Sequence, residues 1–326
     1  MEFWKGAAEM ELGFCCPVCG GRLERRGHAA VCGDGHSFDI ARQGYLHLLP
    51  PNKMHSKLPG DSREMVEARR RFLEAGYYRP FRDKLCELAK RYAGGGATPQ
   101  RELEEDKPGS RNPEETSGLF QTEAGAGIGE RAFSSHSAEA GVKILDAGCG
   151  EGYYTEAVRK ALGTAEVYGF DISKLAVKAA AGKYKEIGFA VASSFAIPVP
   201  AGFCGCLINV FAPMAEEEFR RVVRPGGVMI LAVPGERHLY GMKEILYQEP
   251  YENEHRETEY SGFSFVSRTA VREEIWVPDA GTAMDLFAMT PYYWKTGVDG
   301  GKRLRETRGF STEIAFDFLV YRRTER

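Results

Sequence analysis

No stretch of this 326-residue chain approaches the roughly 18 to 20 uninterrupted apolar residues of a membrane-spanning helix, which argues against a helical membrane protein and a membrane partner. The opening, MEFWKGAAEM, has neither the basic start nor the apolar run of a secretory signal, so a cytoplasmic location is expected. Net charge is scarce as well: 43 Lys and Arg against 46 Asp and Glu leave −3, too little to argue for a nucleic-acid partner from overall charge. Residues 93–140 lack an apolar period of either kind and are rich in Gly, Ser, Pro and Glu, the composition of a flexible acidic insertion. Apolar residues as a class are not short. At 43 % of the chain they suffice for a normal core. Cysteine is plentiful too, and eight thiols in a reducing compartment point to metal binding, catalysis or plain burial rather than disulfides.

The small net charge hides an asymmetry. Residues 1–92 carry 16 basic against 12 acidic groups, residues 93–140 carry 4 against 9, and the remainder 23 against 25. The only positive segment also holds two short-spaced ligand pairs, Cys16-Pro-Val-Cys19 and Cys32-x3-His36, with glycines beside them. Two such pairs on opposed turns supply the four soft or borderline ligands of tetrahedral zinc with little chain strain. Cys15 would lengthen the first knuckle and His28 falls between the pairs, so both are left out. A closed four-ligand site has no open position, and the expected Zn2+ is structural. The arginines and lysines around it (Arg22, Arg25, Arg26, Arg42, Lys53 and Lys57) suggest phosphate contact, with a merely solvated charged face as the alternative.

Residues 61–92 read as two helices. The first opens on a capping Asp61 or Ser62, with Met65, Ala68, Phe72 and Ala75 at helical spacing; the second starts at Pro80. Beyond the insertion, strand-length apolar runs (KILDAG, EVYGFDI, FAVAS, GCLINVF, GVMILAV) alternate with helix-like stretches such as 153–162 and 174–184. That rhythm predicts a parallel, doubly wound sheet. FSFVSRTAVREEIWV and STEIAFDFLVYRR, separated by a helix containing Ala283 to Ala288, predict an antiparallel pair at its end.

In KILDAGCGEGYYTEAV a buried strand ends in Asp146 and is followed by Gly148, Gly150 and Gly152 and then a helix. The spacing is GxGxG with an acid just ahead of it, unlike the GxGxxG of dinucleotide binders. It suits S-adenosyl-L-methionine, whose amino-acid end and sulfonium are cationic where a dinucleotide has a pyrophosphate. A second strand ends at Asp171, placed to accept hydrogen bonds from ribose hydroxyls, and the third strand end offers Ser193 and Ser194 beside an adenine. The fourth, Asn209-Val-Phe-Ala-Pro, lacks the paired prolines of enzymes that methylate exocyclic amines. Tyr292, Tyr293 and Trp294 offer a stacking platform, or core.

Taken together, CPVC, CGDGHSFD, GYLHLLP, PGDSREMVEARRRFLEAGYYRP, LDAGCGEGYYT, FDISKLAVKAAAGKY, VASSFAIP, RPGG and PGERHL resemble the RlmA family of 23S rRNA (guanine-N1)-methyltransferases over nearly everything except 93–140 and, less clearly, the last fifty residues. The resemblance implies an α/β fold: a zinc-binding RNA-recognition module (1–58), a helical linker contributing to the cofactor site (59–92) and a Rossmann-like class I S-adenosylmethionine-dependent methyltransferase domain (141–326), with the flexible acidic Gly-rich insertion (93–140) as a departure from it. It implies zinc on Cys16, Cys19, Cys32 and His36, and cofactor contacts from Tyr78, Tyr154, Thr155 and His238. Interhelical packing for the tyrosines and a satisfied loop position for His238 are the plainer readings. The partner it implies is a hairpin of 23S rRNA, with a homodimer admitted as an assembly. No general base is assigned. The alternatives are a small-molecule methyltransferase whose zinc module is a lid, and a non-enzymatic RNA-binding protein with a vestigial cofactor site; the intact DAGCGEG with Asp171 speaks against the second.

Overall fold

A computed structural model of the chain describes residues 12–50, 60–93, 141–254 and 258–325. The insertion expected at 93–140, apart from its first residue, lies outside the described residues, as do Lys53 and Lys57.

The N-terminal segment forms a three-stranded antiparallel sheet, β1 (Glu24–Arg26), β2 (Ala29–Val31) and β3 (Ser37–Asp39), turned at Gly27, whose φ of +63° suits a residue without Cβ. Two helices follow. In α1 (Arg63–Glu74) Ser62 is the cap, its side chain accepting from the Met65 N–H at 3.3 Å; Met65, Ala68 and Phe72 are buried, whereas Ala75 is the exposed C-terminal cap. Pro80 sits in the first turn of α2 (Arg79–Ala93), where its missing N–H leaves nothing unpaired.

The main sheet takes its parallel strands from the expected runs: β5 (Lys143–Ala147), β6 (Glu166–Asp171), β7 (Gly188–Val191), β8 (Cys204–Val210) and β9 (Val223–Pro234). Between them lie α3 (Tyr153–Leu162), α4 (Lys174–Lys183) and α5 (Glu216–Val222). After α6 (Tyr240–Leu246) the chain returns as β10 (Phe263–Val277), then α7 (Ala280–Ala288), α8 (Tyr292–Lys295) and α9 (Val298–Arg305), and closes with β11 (Phe310–Arg323). β10 and β11 are antiparallel, and β11 runs antiparallel to β9. The sheet has eight strands in the order β10-β11-β9-β8-β5-β6-β7-β4, the last being a two-residue strand, β4 (Leu46–His47), parallel to β7.

That eighth strand belongs to the N-terminal segment, and the core follows suit. Phe14, Leu23, Cys32, Leu46 and Leu48 share one buried cluster with Leu145, Tyr168, Phe170 and Phe219, while Phe72, Tyr78, Phe81 and Leu85 of the linker pack on the opposite face with Phe316 and Phe318. At about 1.5 to 3 kcal/mol for each large apolar side chain buried, both attachments are firm. β5 is flanked by β6 on one side and β8 on the other, so the strand order reverses there and a crevice opens beyond their carboxyl ends.

Candidate active site and metal centre

The two cysteine turns are shaped by their own backbones. Gly20 N–H donates to Cys16 O at 2.9 Å and Gly35 N–H to Cys32 O at 3.0 Å, with both glycines at positive φ (+75° and +84°). The Val18 N–H points at Cys16 Sγ, 3.4 Å away. One ligand atom from each of Cys16, Cys19, Cys32 and His36 lies within 4.8 Å of the other three, with Cys19 Sγ to Cys32 Sγ 3.6 Å and Cys32 Sγ to His36 Nδ1 3.3 Å. A tetrahedron with Zn–S bonds of about 2.3 Å has edges of about 3.8 Å, so the set fits structural zinc. Cys15 is buried with its N–H bonded to Pro198 O, and His28 is exposed at a turn. Neither joins the cluster. Arg22, Arg25, Arg26 and Arg42 are all exposed on this segment.

The crevice beyond β5, β6 and β8 is a cleft of about 400 Å³. The glycine loop forms its floor, with Gly148 and Cys149 both donating to Phe170 O at the end of β6 (2.9 and 3.0 Å). Its three glycines have three different reasons. A Cβ on Gly148 would come within 2.3 Å of the Ala212 Cβ, one on Gly152 would press on Ala180, Tyr184 and Phe189 at 3.1 to 3.2 Å, and one on Gly150 would meet only Arg69, at 3.7 Å. Gly150 is thus the one whose surroundings are open towards a ligand.

Of the residues expected at the cofactor, Asp146, Gly148, Gly150, Tyr154 and Asp171 line this cleft. Asp146 is 2 % exposed; Thr155 Oγ1 donates to its Oδ2 at 2.6 Å while Oδ1 has no partner among the described residues. Burial raises its pKa to about 7 against the pull of the Thr155 hydrogen bond. Asp171 accepts from Gly150 N–H (3.0 Å) and Ser173 N–H (2.7 Å), which fixes its carboxylate in place; burial still moves its pKa up.

Five expected contacts do not line the cleft. Gly152 and Thr155 lie behind the loop, the one packing α3 inward and the other holding Asp146. Ser193 turns back on its own chain, accepting from Phe195 N–H at 3.2 Å. Tyr78 and His238 meet each other instead, Oη to Nε2 at 3.5 Å, both buried and packed against Phe316, Tyr78 edge-on and His238 tilted. His238 Nδ1 accepts from the Ala315 N–H, which puts the ring proton on Nε2, and burial lowers its pKa to about 3, so it is neutral. Ser194 is absent from the lining as well, and Asn209 donates to Ala147 O at 3.2 Å, away from an acceptor.

Asp61, Arg69 and Glu151 also line the cleft, and reading along the chain missed all three. Arg69 reaches in from α1, paired with Asp61 and 3.8 Å from Glu151, whose two carboxylate oxygens are buried without a hydrogen bond among the described residues. Charged residues on a helix ordinarily read as a solvated face; the faint signal was Glu151 inside the glycine loop itself. Four carboxylates (Asp61, Asp146, Glu151 and Asp171) and one guanidinium line the cleft, and with three buried carboxylate oxygens unbonded they form an acceptor-rich site matched to a cationic amino acid and a diol.

Residues 14–57 match the family model described as RlmA, N-terminal, a zinc ribbon, and residues 144–227 match a methyltransferase domain. A Micromonospora griseorubida protein provisionally named 23S rRNA (guanine-N(1)-)-methyltransferase is 36 % identical over 71 % of this chain and 68 % of its own length. The chain belongs to the RlmA family of 23S rRNA (guanine-N1)-methyltransferases. Its relatives include the 23S rRNA (guanine(748)-N(1))-methyltransferase of Streptomyces fradiae, 30 % identical over 71 % of this chain and 66 % of that one. A Bacillus subtilis (strain 168) protein of the same provisional class is 25 % identical over 94 % and 96 %. The cofactor of this family fold is S-adenosylmethionine, and the donor set of the cleft fits it. No helix among the described residues is long and apolar enough to cross a membrane.

Proposed function

We propose that the chain transfers the methyl group of S-adenosylmethionine to N1 of one guanine in a 23S rRNA hairpin, in the cytoplasm where ribosomes are assembled. The observation that carries this reading is the joining, in one shared core, of a family zinc ribbon bearing exposed arginines to a methyltransferase cleft lined with unbonded carboxylate oxygens. When bound, the cofactor supplies an electrophilic methyl group on a good leaving group. The chain's residues then have positioning work. Asp171, held by two backbone N–H groups, would accept from the ribose hydroxyls, and the unbonded oxygens of Asp146 and Glu151 would accept from the ammonium group. Tyr78 and His238 would act from behind, through the wall they build with Phe316.

Guanine N1 lies on the Watson–Crick edge, so the base must be unpaired or extruded to reach the cleft. Arg22, Arg25 and Arg26 on the ribbon would hold the hairpin phosphates meanwhile. Mass spectrometry of nuclease-digested 23S rRNA from a deletion strain tests the reading: one 1-methylguanosine should vanish and return with the wild-type gene. An unchanged digest rejects it. Sedimentation of the purified protein separates a monomer from the homodimer.

A further inference from the structure

The cleft is charged where α1 and the glycine loop meet, and apolar where the turn after β8 faces the segment after α7. That apolar part exposes two large aromatic side chains, Phe211 (46 %) and Trp294 (70 %), beside Ala212, Pro213, Met289 and Pro291. Phe211 is one of only two non-glycine residues at positive φ among the described residues, at +53°. A bulky side chain adopts that conformation only when its surroundings impose it, and such positions gather at ligand sites. Here the surroundings are an aromatic wall: the Phe211 ring lies on Phe81 (5.6 Å, 28° between planes), with Phe316 at 5.6 Å and His238 at 6.4 Å. The turn also adjoins the methyl-donor side, since Ala212 sits against Gly148.

Across the cleft, the sequence Tyr292-Tyr293-Trp294 divides its labour. Tyr292 is buried, Tyr293 packs on Phe287 and meets Trp294 edge-on at 5.0 Å, and the Trp294 indole remains open. An exposed aromatic ring on each side of an apolar recess is a receptacle for a flat, unstacked ring, because every base has a π-face that such a side chain can cover.

We propose that Phe211 and Trp294 are the stacking residues for the extruded guanine, holding its ring so that N1 faces the glycine-loop side. This rests on the rRNA reading above. The test uses the full chain, a 23S rRNA transcript as acceptor, and calorimetric titration of S-adenosylhomocysteine beside methyl-transfer kinetics. Trp294→Ala and Phe211→Leu should each lower kcat/KM about 5- to 150-fold, the range that stacking on one base carries. Trp294→Phe, which keeps a ring, should recover most of the loss, and affinity for S-adenosylhomocysteine should stay within about twofold of wild type. Trp294 is too exposed for its truncation to unfold the chain, so it remains informative if Phe211→Leu is unstable. Wild-type rates in Trp294→Ala overturn the proposal, and so does a parallel loss of S-adenosylhomocysteine affinity. Failure of the wild-type protein to methylate any 23S rRNA transcript is a different result: it removes the rRNA reading and this assignment with it.

Discussion

Capture of the cofactor should expel a proton, in an amount set by Asp146. Its carboxyl is 2 % exposed, with one oxygen bonded to Thr155 and the other unbonded, and burial places its pKa at about 7. Near pH 7, then, about half of the free molecules carry the proton. A cationic ligand reaching the unbonded oxygen favours the charged form, so binding should release about 0.5 proton near pH 7, about 0.9 near pH 6 and under about 0.1 near pH 8.5. Glu151 and Asp171, also moved up by burial, add to the release at the acid end. Titration of S-adenosylmethionine in buffers of different ionisation enthalpy reads the number directly, as the slope of observed against buffer enthalpy. Thr155→Val removes the hydrogen bond that favours the carboxylate and should shift the whole release curve to higher pH. Buffer-independent enthalpies near both pH 6 and pH 7 would refute the reasoning, because no proton would then leave with the ligand.

The same carboxyl makes the stability of the free protein depend on pH. A raised folded-state pKa favours the fold while the group is protonated, so this contribution is present below the ordinary value of 3.8 and is lost as pH rises through about 7. Over that window it amounts to on the order of 4 kcal/mol, and urea unfolding of Asp146→Asn should show a flatter profile than wild type. Gly148→Ala should lose about 2 to 5 kcal/mol, left-handed strain plus collision with Ala212, against about 1 to 2 for Gly150→Ala, where strain acts alone; equal losses in urea would show that Ala212 yields freely. Elemental analysis should find about one zinc per chain, and Cys32→Ser should speed hydrogen exchange at Leu48 and along β7 as well as in the ribbon, unchanged exchange there marking the two as independent. Reversing the charge of Arg22, Arg25 and Arg26 should weaken rRNA binding and flatten its salt dependence by about one slope unit per lost phosphate contact, and parallel salt slopes in filter binding would remove the ribbon from RNA recognition.

What could be read from the chain follows from the range of the interactions involved. Ser62 as a cap and the alternation of buried strands with helices depend on neighbours a few residues apart; the final strand pair and the zinc cluster are legible through equally local marks, two strand-length runs and two short-spaced ligand turns, although the contacts themselves join Phe263 to Arg323 and Cys16 to His36. Arg69, and Asp61 in any role beyond a candidate helix cap, are not legible as cleft residues because their meeting with Glu151 depends on how α1 lies across the glycine loop, which no spacing within α1 reveals. Within Asn209-Val-Phe-Ala-Pro nothing marks the left-handed backbone of Phe211, which goes with ring contacts to Phe81 and Phe316 from distant elements. Tyr78 and His238 stood out only through family resemblance. They pair with each other inside the core, an arrangement that needs residues 160 positions apart.

β4 is two residues long and its partner β7 begins at Gly188, 141 positions after His47. On the ribosome the strand therefore leaves the exit tunnel well before the strand it must join, and at ordinary synthesis rates of about 5 to 20 residues per second the interval is on the order of 10 seconds. For most of it, until β6 is made, Phe14, Leu46 and Leu48 have no Tyr168 or Phe170 to cover them. Early metal loading would let the ribbon close on itself and present those side chains as one ordered surface rather than as a loose hydrophobic segment. A nascent chain made under zinc starvation would expose them unsupported for most of the interval, so the metal's largest effect would fall on the yield of folded protein during translation rather than on the turnover of molecules already complete.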